Sequence, residues 1–212
     1  MSKLLLIRHG ETEMNSSQRY WGRTDVALGI KGLKQAEQLR DRLASEKVKF
    51  VYSSSLKRAL VTAQTIASIH NLQVISCPEL NEIDFGEMEG LNFDELSVKY
   101  PEVARLWKQR SPDLSYPGGE SLSQLEKRVA EFRRRLAGHA EEDIILVVAH
   151  SGVLRTLICQ LLDLGAAGRW KIRLDLGSLS IVDTYPETAI LSLLNDTSHL
   201  FHSFSLDGRR RG

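Results

Sequence analysis

Short apolar runs alternate with amphipathic stretches in the first third of the chain. Leu4–Ile7 is an apolar run typical of a buried strand. Residues 32–46 then carry leucine and alanine at helical spacing, with charged residues between them. The alternation continues, because strand patterns at residues 50–53 and 72–75 flank a second helical pattern at residues 56–69. This order predicts parallel strands joined by right-handed crossovers, which is the signature of an α/β fold.

The second half of the chain contains the strongest strand pattern. Residues 143–149 are apolar after the first position, which indicates a central strand that is covered on both faces. A helix that begins with a capping box at Ser121 precedes this strand, and a helix over residues 152–163 follows it. Residues 178–184 and 189–194 predict an antiparallel hairpin.

Together these elements predict one three-layer α/β/α domain over residues 1–205. Its central sheet is expected to be mostly parallel, with an antiparallel edge. Residues 206–212 are polar and rich in arginine, and we expect them to form a disordered tail. The length of 212 residues, with no linker and no internal repeat, agrees with a single domain.

Composition narrows the class of protein. The 28 lysines and arginines nearly balance the 27 aspartates and glutamates, whereas a dedicated nucleic-acid binder usually carries a basic excess. No stretch approaches the roughly 20 apolar residues that a membrane span needs. Cys77 and Cys159 are too far apart for a disulfide framework or a zinc motif, and no export signal is evident. We therefore expect a cytoplasmic protein that binds neither nucleic acid nor a membrane.

Reactive side chains follow four of the predicted strands. In open α/β sheets, ligands bind beyond the carboxyl ends of the strands. At these ends the chain carries two arginines, two histidines and a glutamate, namely Arg8, His9, Arg58, Glu82 and His150. We expect these five side chains to share one electropositive pocket.

Such a pocket suits the chemistry of a phosphate ester. Two guanidinium groups match the oxygens of a phosphate and stay charged. A neutral histidine can attack phosphorus, and the remaining cations stabilise the dispersed charge of the transition state. A carboxyl group can protonate the departing alkoxide. This scheme needs no metal, and no cluster with metal-ligand spacing is present, so we expect neither a metal nor a cofactor.

Five segments of the chain also match a known set of motifs. They are Leu6–Thr12, Gly22–Asp25, Tyr52–Ala59, Leu80–Gly90 and Ala149–Gly152. Together they resemble the motifs of the histidine phosphatase (phosphoglycerate mutase-like) superfamily, and the resemblance spans about residues 3–195. It implies a phosphoglycerate mutase-like fold. It further implies His9 as the phosphorylated nucleophile, Glu82 as the proton donor and His150 as the second catalytic histidine.

The resemblance also assigns the remaining residues of the pocket. Phosphate binding would fall to a set of polar residues, helped by Thr12 and by backbone N–H groups at the start of a helix: Arg8, Asn15, Arg58 and Ser151. The substrate rim is expected to draw on a second set: Trp21, Arg23 and Tyr116.

The segment after the acidic loop indicates the branch of the family. Residues 92–119 are compact, whereas the mutases are longer here, and the sequence Gly-Gly-Glu-Ser at residues 118–121 resembles the small phosphatases. This implies a metal-independent phosphomonoesterase, a monomer or homodimer, whose partner is a small phosphorylated metabolite. We expect α-ribazole 5'-phosphate first, with phosphoserine or a sugar phosphate as alternatives and phosphoglycerate mutase as a less favoured one. A non-catalytic binding module is disfavoured, because every catalytic residue type is present.

Overall fold

The structure is a computed structural model that describes residues 2–17 and 19–200. Its strands and α-helices, in chain order, are β1 (Ser2–Arg8), α1 (Ile30–Arg42), β2 (Val48–Ser53), α2 (Lys57–Ala67), β3 (Val74–Ser76), α3 (Phe93–Lys99), α4 (Pro101–Lys108), α5 (Leu122–Leu136), β4 (Ile144–Ala149), α6 (Ser151–Leu161), β5 (Leu179–Thr184) and β6 (Ala189–Asp196). Short 3₁₀ turns occupy parts of the loops, including Gly86–Met88 in the acidic segment.

All six strands join one sheet in the order β3-β2-β4-β1-β5-β6. Strands β1, β2, β3 and β4 pair in parallel, whereas β5 runs antiparallel to both β1 and β6. The predicted α/β fold with a mostly parallel sheet and an antiparallel edge is thus confirmed. Strand β4 lies between β1 and β2, which confirms the central position that its apolar sequence indicated.

The molecule has two hydrophobic cores, one on each face of the sheet, and alternating side chains of the central strands contribute to both. In β1, Leu4 and Leu6 belong to the core that also contains Leu125 of α5 and Leu157 of α6. The intervening residues of β1 pack with α1 and α2 on the opposite face of the sheet. Because successive strand residues point to opposite faces, one apolar strand is buried between two helical layers.

Some element boundaries differ from the predicted ones. Helix α1 begins at Ile30, two residues before the predicted start, because Gly29 adopts an extended N-cap conformation. The helix ends at Arg42 instead of residue 46, although Leu43 is still buried. Pro101 separates α3 from α4, since it stands at the first position of α4.

The carboxyl ends of the central strands lie in register. Arg8 of β1 pairs with Ala149 of β4, and Ser53 of β2 pairs with Val148 of β4. The residues that follow these strands therefore meet at one edge of the sheet.

None of the helices that the structure describes is both long and apolar enough to cross a membrane. The predicted tail, residues 206–212, and the last residues of the predicted domain lie outside the described residues.

Candidate active site

Two buried imidazoles meet at the carboxyl edge of the sheet. The ring centres of His9 and His150 lie 5.0 Å apart, and the rings are inclined at 58°. They are adjacent because the neighbouring parallel strands β1 and β4 end in register, and the backbone N–H of His9 donates to the Ala149 carbonyl oxygen. The exposed fractions are 5% for His9 and 0% for His150. The structure thus brings together the two histidines that the sequence separates by 141 residues (150 − 9).

The hydrogen bond of His9 identifies its tautomer. Nδ1 lies 2.7 Å from the carbonyl oxygen of Gly10. A carbonyl oxygen can only accept, so the neutral ring carries its hydrogen on Nδ1 and keeps the lone pair on Nε2. The lone pair of Nε2 is therefore available for nucleophilic attack.

Both imidazoles are held in the neutral form. Burial lowers the pKa of His9 well below its usual value, and the nearby charges of Arg58 and Arg8 lower it further. Burial is also the main cause of the lowered pKa of His150, followed by Arg58, His9, Arg8 and Arg128. A neutral imidazole retains the lone pair that attack on phosphorus requires.

Two guanidinium groups flank the imidazoles. Arg58 lies in the first turn of α2 and is 3% exposed, and its two Nη atoms donate to the carbonyl oxygens of Gly22 and Thr24. Arg8 donates from Nη1 to the Leu174 carbonyl oxygen at 2.6 Å. Its buried Nε has no hydrogen-bond partner among the described residues, and burial lowers the pKa of Arg8 to about 10 despite the opposing effect of Glu82. The site thus holds desolvated cations, which favours binding of an anion.

Glu82 approaches the same site from the acidic loop. Its Oε2 accepts a hydrogen bond of 3.2 Å from the backbone N–H of Gly152, and its Oε1 accepts one of 3.0 Å from Ile83. A Cβ atom at Gly152 would lie 2.5 Å from Oε1, so only glycine admits the carboxylate this close. The Glu82 carboxylate therefore lies against the start of α6, at Gly152, which follows His150 by two residues.

Asn15 and Ser151 are engaged through their oxygen atoms. Asn15 Oδ1 accepts hydrogen bonds from the backbone N–H of Thr12 at 2.7 Å and from the Thr12 hydroxyl at 2.8 Å. The carboxamide nitrogen is therefore the polar atom of Asn15 that remains for a phosphate. Ser151 Oγ accepts from both Nε and Nη2 of Arg155, at 2.9 and 2.5 Å. Because Ser151 is the first residue of α6, its backbone N–H has no partner within the helix, whereas its hydroxyl is already bonded to Arg155.

The three residues expected at the substrate rim have different surroundings in the structure. Tyr116 is 4% exposed and packs edge-on against Phe85 and Trp107. The ring of Trp21 lies over Gly90. Arg23 is half-buried and close enough to Glu82 for the carboxylate to affect its pKa, which burial lowers. Burial raises the pKa of Tyr116, and this ring is also close enough to Glu82 for the carboxylate to raise it further.

Three residues with contacts to the site were missed by sequence reasoning. Arg155 lies four residues after Ser151, one helical turn away on the same face, so helical spacing could have indicated it. Ser54 contacts His150, and Asn81 contacts Ser54, at 2.8 Å in both cases. No local pattern links these last two, because they come together only through the fold.

Comparison with known proteins connects this geometry to a family. The family model described as histidine phosphatase superfamily (branch 1) matches residues 4–197. The chain is 36% identical over 200 residues to phosphoserine phosphatase 1 of Hydrogenobacter thermophilus, covering 94% of this chain and 95% of that protein. It is 35% identical over 193 residues to the adenosylcobalamin/α-ribazole phosphatase of Escherichia coli, covering 91% of this chain and 95% of that one.

A solved structure agrees with the sequence comparison. The α-ribazole phosphatase from Shigella flexneri superposes with a TM-score of 0.85 at 34% identity, and the match covers 92% of this chain and 96% of that one. Relatives named for two different substrates thus match this chain almost equally well.

Proposed function

Because the chain belongs to the histidine phosphatase superfamily (branch 1), we propose that His9 carries the phosphoryl group during hydrolysis of a small phosphomonoester, without a metal ion. The chain is a phosphatase of this family, and its relatives are named phosphatases. The observation that supports the proposal most directly is the pair of buried, neutral imidazoles 5.0 Å apart, flanked by Arg8 and Arg58.

In the first step, Nε2 of His9 attacks phosphorus. The Nδ1 hydrogen bond to Gly10 keeps that lone pair available and stabilises the ring as it becomes positively charged. As the new N–P bond forms, the bond from phosphorus to the ester oxygen breaks. Arg8, Arg58 and His150 surround the transferring group, where fixed positive donors stabilise its dispersed charge. Glu82 donates a proton to the departing oxygen and so releases an alcohol.

In the second step, water hydrolyses the phosphohistidine. Glu82 is then a carboxylate and takes a proton from the water as its oxygen attacks phosphorus. The N–P bond breaks, its electron pair returns to His9 Nε2, and inorganic phosphate leaves. Glu82 is again protonated for the next cycle. The position of this carboxylate at the helix start beside His150 is compatible with both proton transfers.

For the substrate we propose two candidates, α-ribazole 5'-phosphate and phosphoserine. We rank α-ribazole 5'-phosphate first, and the similarity to a relative named adenosylcobalamin/α-ribazole phosphatase supports this choice. A specific feature of the site favours phosphoserine. Arg155 donates two hydrogen bonds to the neutral Ser151 hydroxyl and has no ion pair within the described residues. Its remaining Nη1 group suits a carboxylate on the leaving group.

A second cation, Arg169, lies close enough to Arg155 to affect its pKa. Arg169 is 7% exposed, and its Nε and Nη1 have no hydrogen-bond partner among the described residues. Burial lowers the pKa of Arg155, and the charge of Arg169 lowers it further, whereas Glu82 opposes both. An anionic group on the substrate would relieve this repulsion, as a neutral leaving group would not.

Trapping of the intermediate tests the phosphohistidine. With a ³²P-labelled substrate and rapid quenching, we expect a labelled protein that is stable to base, labile to acid and absent from the His9→Ala variant. Hydrolysis of p-nitrophenyl phosphate should continue in the presence of EDTA. An acid-stable adduct, or turnover that EDTA abolishes, would overturn the proposal.

A substrate panel separates the candidates. α-Ribazole 5'-phosphate, phosphoserine, a sugar phosphate and 3-phosphoglycerate are compared by kcat/KM at equal ionic strength. Formation of 2-phosphoglycerate from the last compound, stimulated by 2,3-bisphosphoglycerate, would instead indicate a mutase.

A further inference from the structure

A chain of hydrogen bonds connects His150 to the loop that bears Glu82. His150 Nε2 lies 2.8 Å from Ser54 Oγ, and Ser54 Oγ lies 2.8 Å from Asn81 Oδ1. Ser54 is 0% exposed and Asn81 is 7% exposed. Neither residue takes part in the two steps described above, yet Ser54 contacts His150 directly and Asn81 contacts Ser54.

The position of each hydrogen in this chain follows from its partners. Asn81 Oδ1 accepts the backbone N–H of Ser55 at 2.8 Å, so this atom is the amide oxygen and not the amide nitrogen. Two oxygens 2.8 Å apart require a hydrogen between them, and Oδ1 has none to give. The hydroxyl of Ser54 therefore donates to Asn81.

This arrangement determines the tautomer of His150. The single hydroxyl hydrogen of Ser54 is used, and Oγ also accepts the backbone N–H of Leu56 at 3.2 Å. The remaining lone pair of Oγ faces His150 Nε2, so Nε2 carries a hydrogen. In the neutral ring, Nδ1 is then the unprotonated atom. It is buried and has no hydrogen-bond partner among the described residues.

We propose that Ser54 and Asn81 are positioning residues that make His150 take up one proton, at Nδ1, when phosphate binds. The proton comes from solvent. His150 then donates from Nδ1 to a phosphoryl oxygen while it keeps its Nε2–H bond to Ser54. This inference rests on the proposed function, because it requires the phosphoryl group to bind beside the two imidazoles.

The charges around His150 explain why binding and protonation are coupled. The groups that face it are Arg58 from α2, Arg8 and His9 from the end of β1, and Arg128 from α5. All three arginines oppose a further positive charge on His150. A phosphate dianion offsets the charges of Arg8 and Arg58, so protonation of His150 becomes favourable only with the anion bound.

Nitrogen NMR of the unaltered protein tests the inference directly. The protein is labelled with ¹⁵N at histidine, and the signals of His150 are assigned with the His150→Gln variant. Without ligand we expect a protonated Nε2 and an unprotonated Nδ1. Saturation with inorganic phosphate should move the Nδ1 signal into the protonated range. A free protein with the opposite tautomer, or an Nδ1 that stays unprotonated at saturation, would overturn the inference.

Calorimetry counts the protons and isolates the role of Ser54. Phosphate binding is measured at a pH where phosphate is a dianion, in two buffers that differ in ionisation enthalpy. We expect uptake of about one proton in the unaltered protein and in Ser54→Thr, which keeps the hydroxyl. In Ser54→Ala the ring is free to place its one hydrogen on Nδ1, so uptake should fall toward zero. A merely structural role would change the affinity and leave the proton count at one.

Turnover distinguishes failure of this inference from failure of the proposed function. Loss of both phosphate binding and p-nitrophenyl phosphate hydrolysis would refute the function and the inference together. Normal hydrolysis with an Nδ1 that stays unprotonated would refute the inference alone.

Discussion

The side of the site that we assign to the phosphate and the side that we assign to the leaving group are built differently. On the phosphate side, His9, His150 and Arg58 are at most 5% exposed, and each makes a hydrogen bond to a buried hydroxyl or a backbone carbonyl oxygen. On the leaving-group side, Tyr116 is positioned by aromatic packing, and Arg155 reaches only a neutral hydroxyl. On the phosphate side, the fold determines which nitrogen atoms carry hydrogens. On the leaving-group side, Arg155 has no ion-pair partner within the described residues.

This difference explains how one fold can act on several substrates. Every phosphomonoester presents the same group to the phosphate side, so rigid positioning there is useful for all of them. The alcohol portion varies and is met by side chains that a few substitutions can change. The nearly equal identity to relatives named for phosphoserine and for α-ribazole agrees with this division.

Loss of the nucleophile should have the largest effect. His9→Ala removes the atom that forms the bond to phosphorus, and we expect kcat to fall by about 10⁴-fold or more for every substrate. Steady-state assays with p-nitrophenyl phosphate and phosphoserine measure the change. Substantial turnover on either one would show that the phosphate side does not act through a covalent histidine.

Removal of the proton donor should depend on the leaving group. Glu82→Gln keeps the size of the side chain but cannot supply or accept the proton, so we expect a loss of about 10²–10⁴-fold in kcat/KM with alkyl phosphates. p-Nitrophenolate departs without a proton, so the loss on p-nitrophenyl phosphate should be much smaller. Equal losses on both substrates would assign Glu82 a binding role instead.

Substitution of Arg155 should affect only the leaving-group side. Arg155→Gln removes the cation that we assign to a substrate carboxylate, and we expect kcat/KM for phosphoserine to fall about 10–100-fold, the range for a charge-assisted hydrogen bond. Phosphoethanolamine lacks the carboxylate and should be hydrolysed as before. Lys127→Gln provides a matched control, because it removes a positive charge outside the site. A parallel decrease for both substrates would contradict the assignment.

Protonation of the two buried histidines should lower the stability of the folded protein at acidic pH. The pKa values of His9 and His150 are lowered in the folded protein, whereas histidines in the unfolded chain have a pKa of about 6.5. As the pH falls below that value, the unfolded chain binds protons that the folded protein does not bind. Stability is therefore full above about pH 7 and decreases toward pH 5, by at most about 1.4 kcal/mol per pH unit for each histidine.

Urea unfolding in phosphate-free buffer measures this slope. A variant with glutamine at positions 9 and 150 should show a flatter dependence on pH between 7 and 5. If the slope is unchanged in that variant, the two imidazoles are not the groups that titrate on unfolding.

Much of the site could be predicted from the sequence, because each reactive residue follows a recognisable strand. His9 follows the apolar residues of β1, and His150 follows those of β4. Parallel strands deliver such residues to one edge of the sheet whatever the exact boundaries are, so errors of a few residues in α1 did not matter. Arg155 was missed because a single arginine on a helix is usually a solvated residue.

The sequence alone determined the fold class, since period-two and helical patterns are local properties of the chain, and it indicated the candidate reacting groups. Only the tertiary structure decided where the protons lie and which cations lack a partner. The hydrogen on His150 depends on Ser54, 96 residues earlier in the chain, and on the amide of Asn81. Hydrogen-bond donors and acceptors acquire their roles from distance and direction in space, and no local pattern in the sequence encodes these.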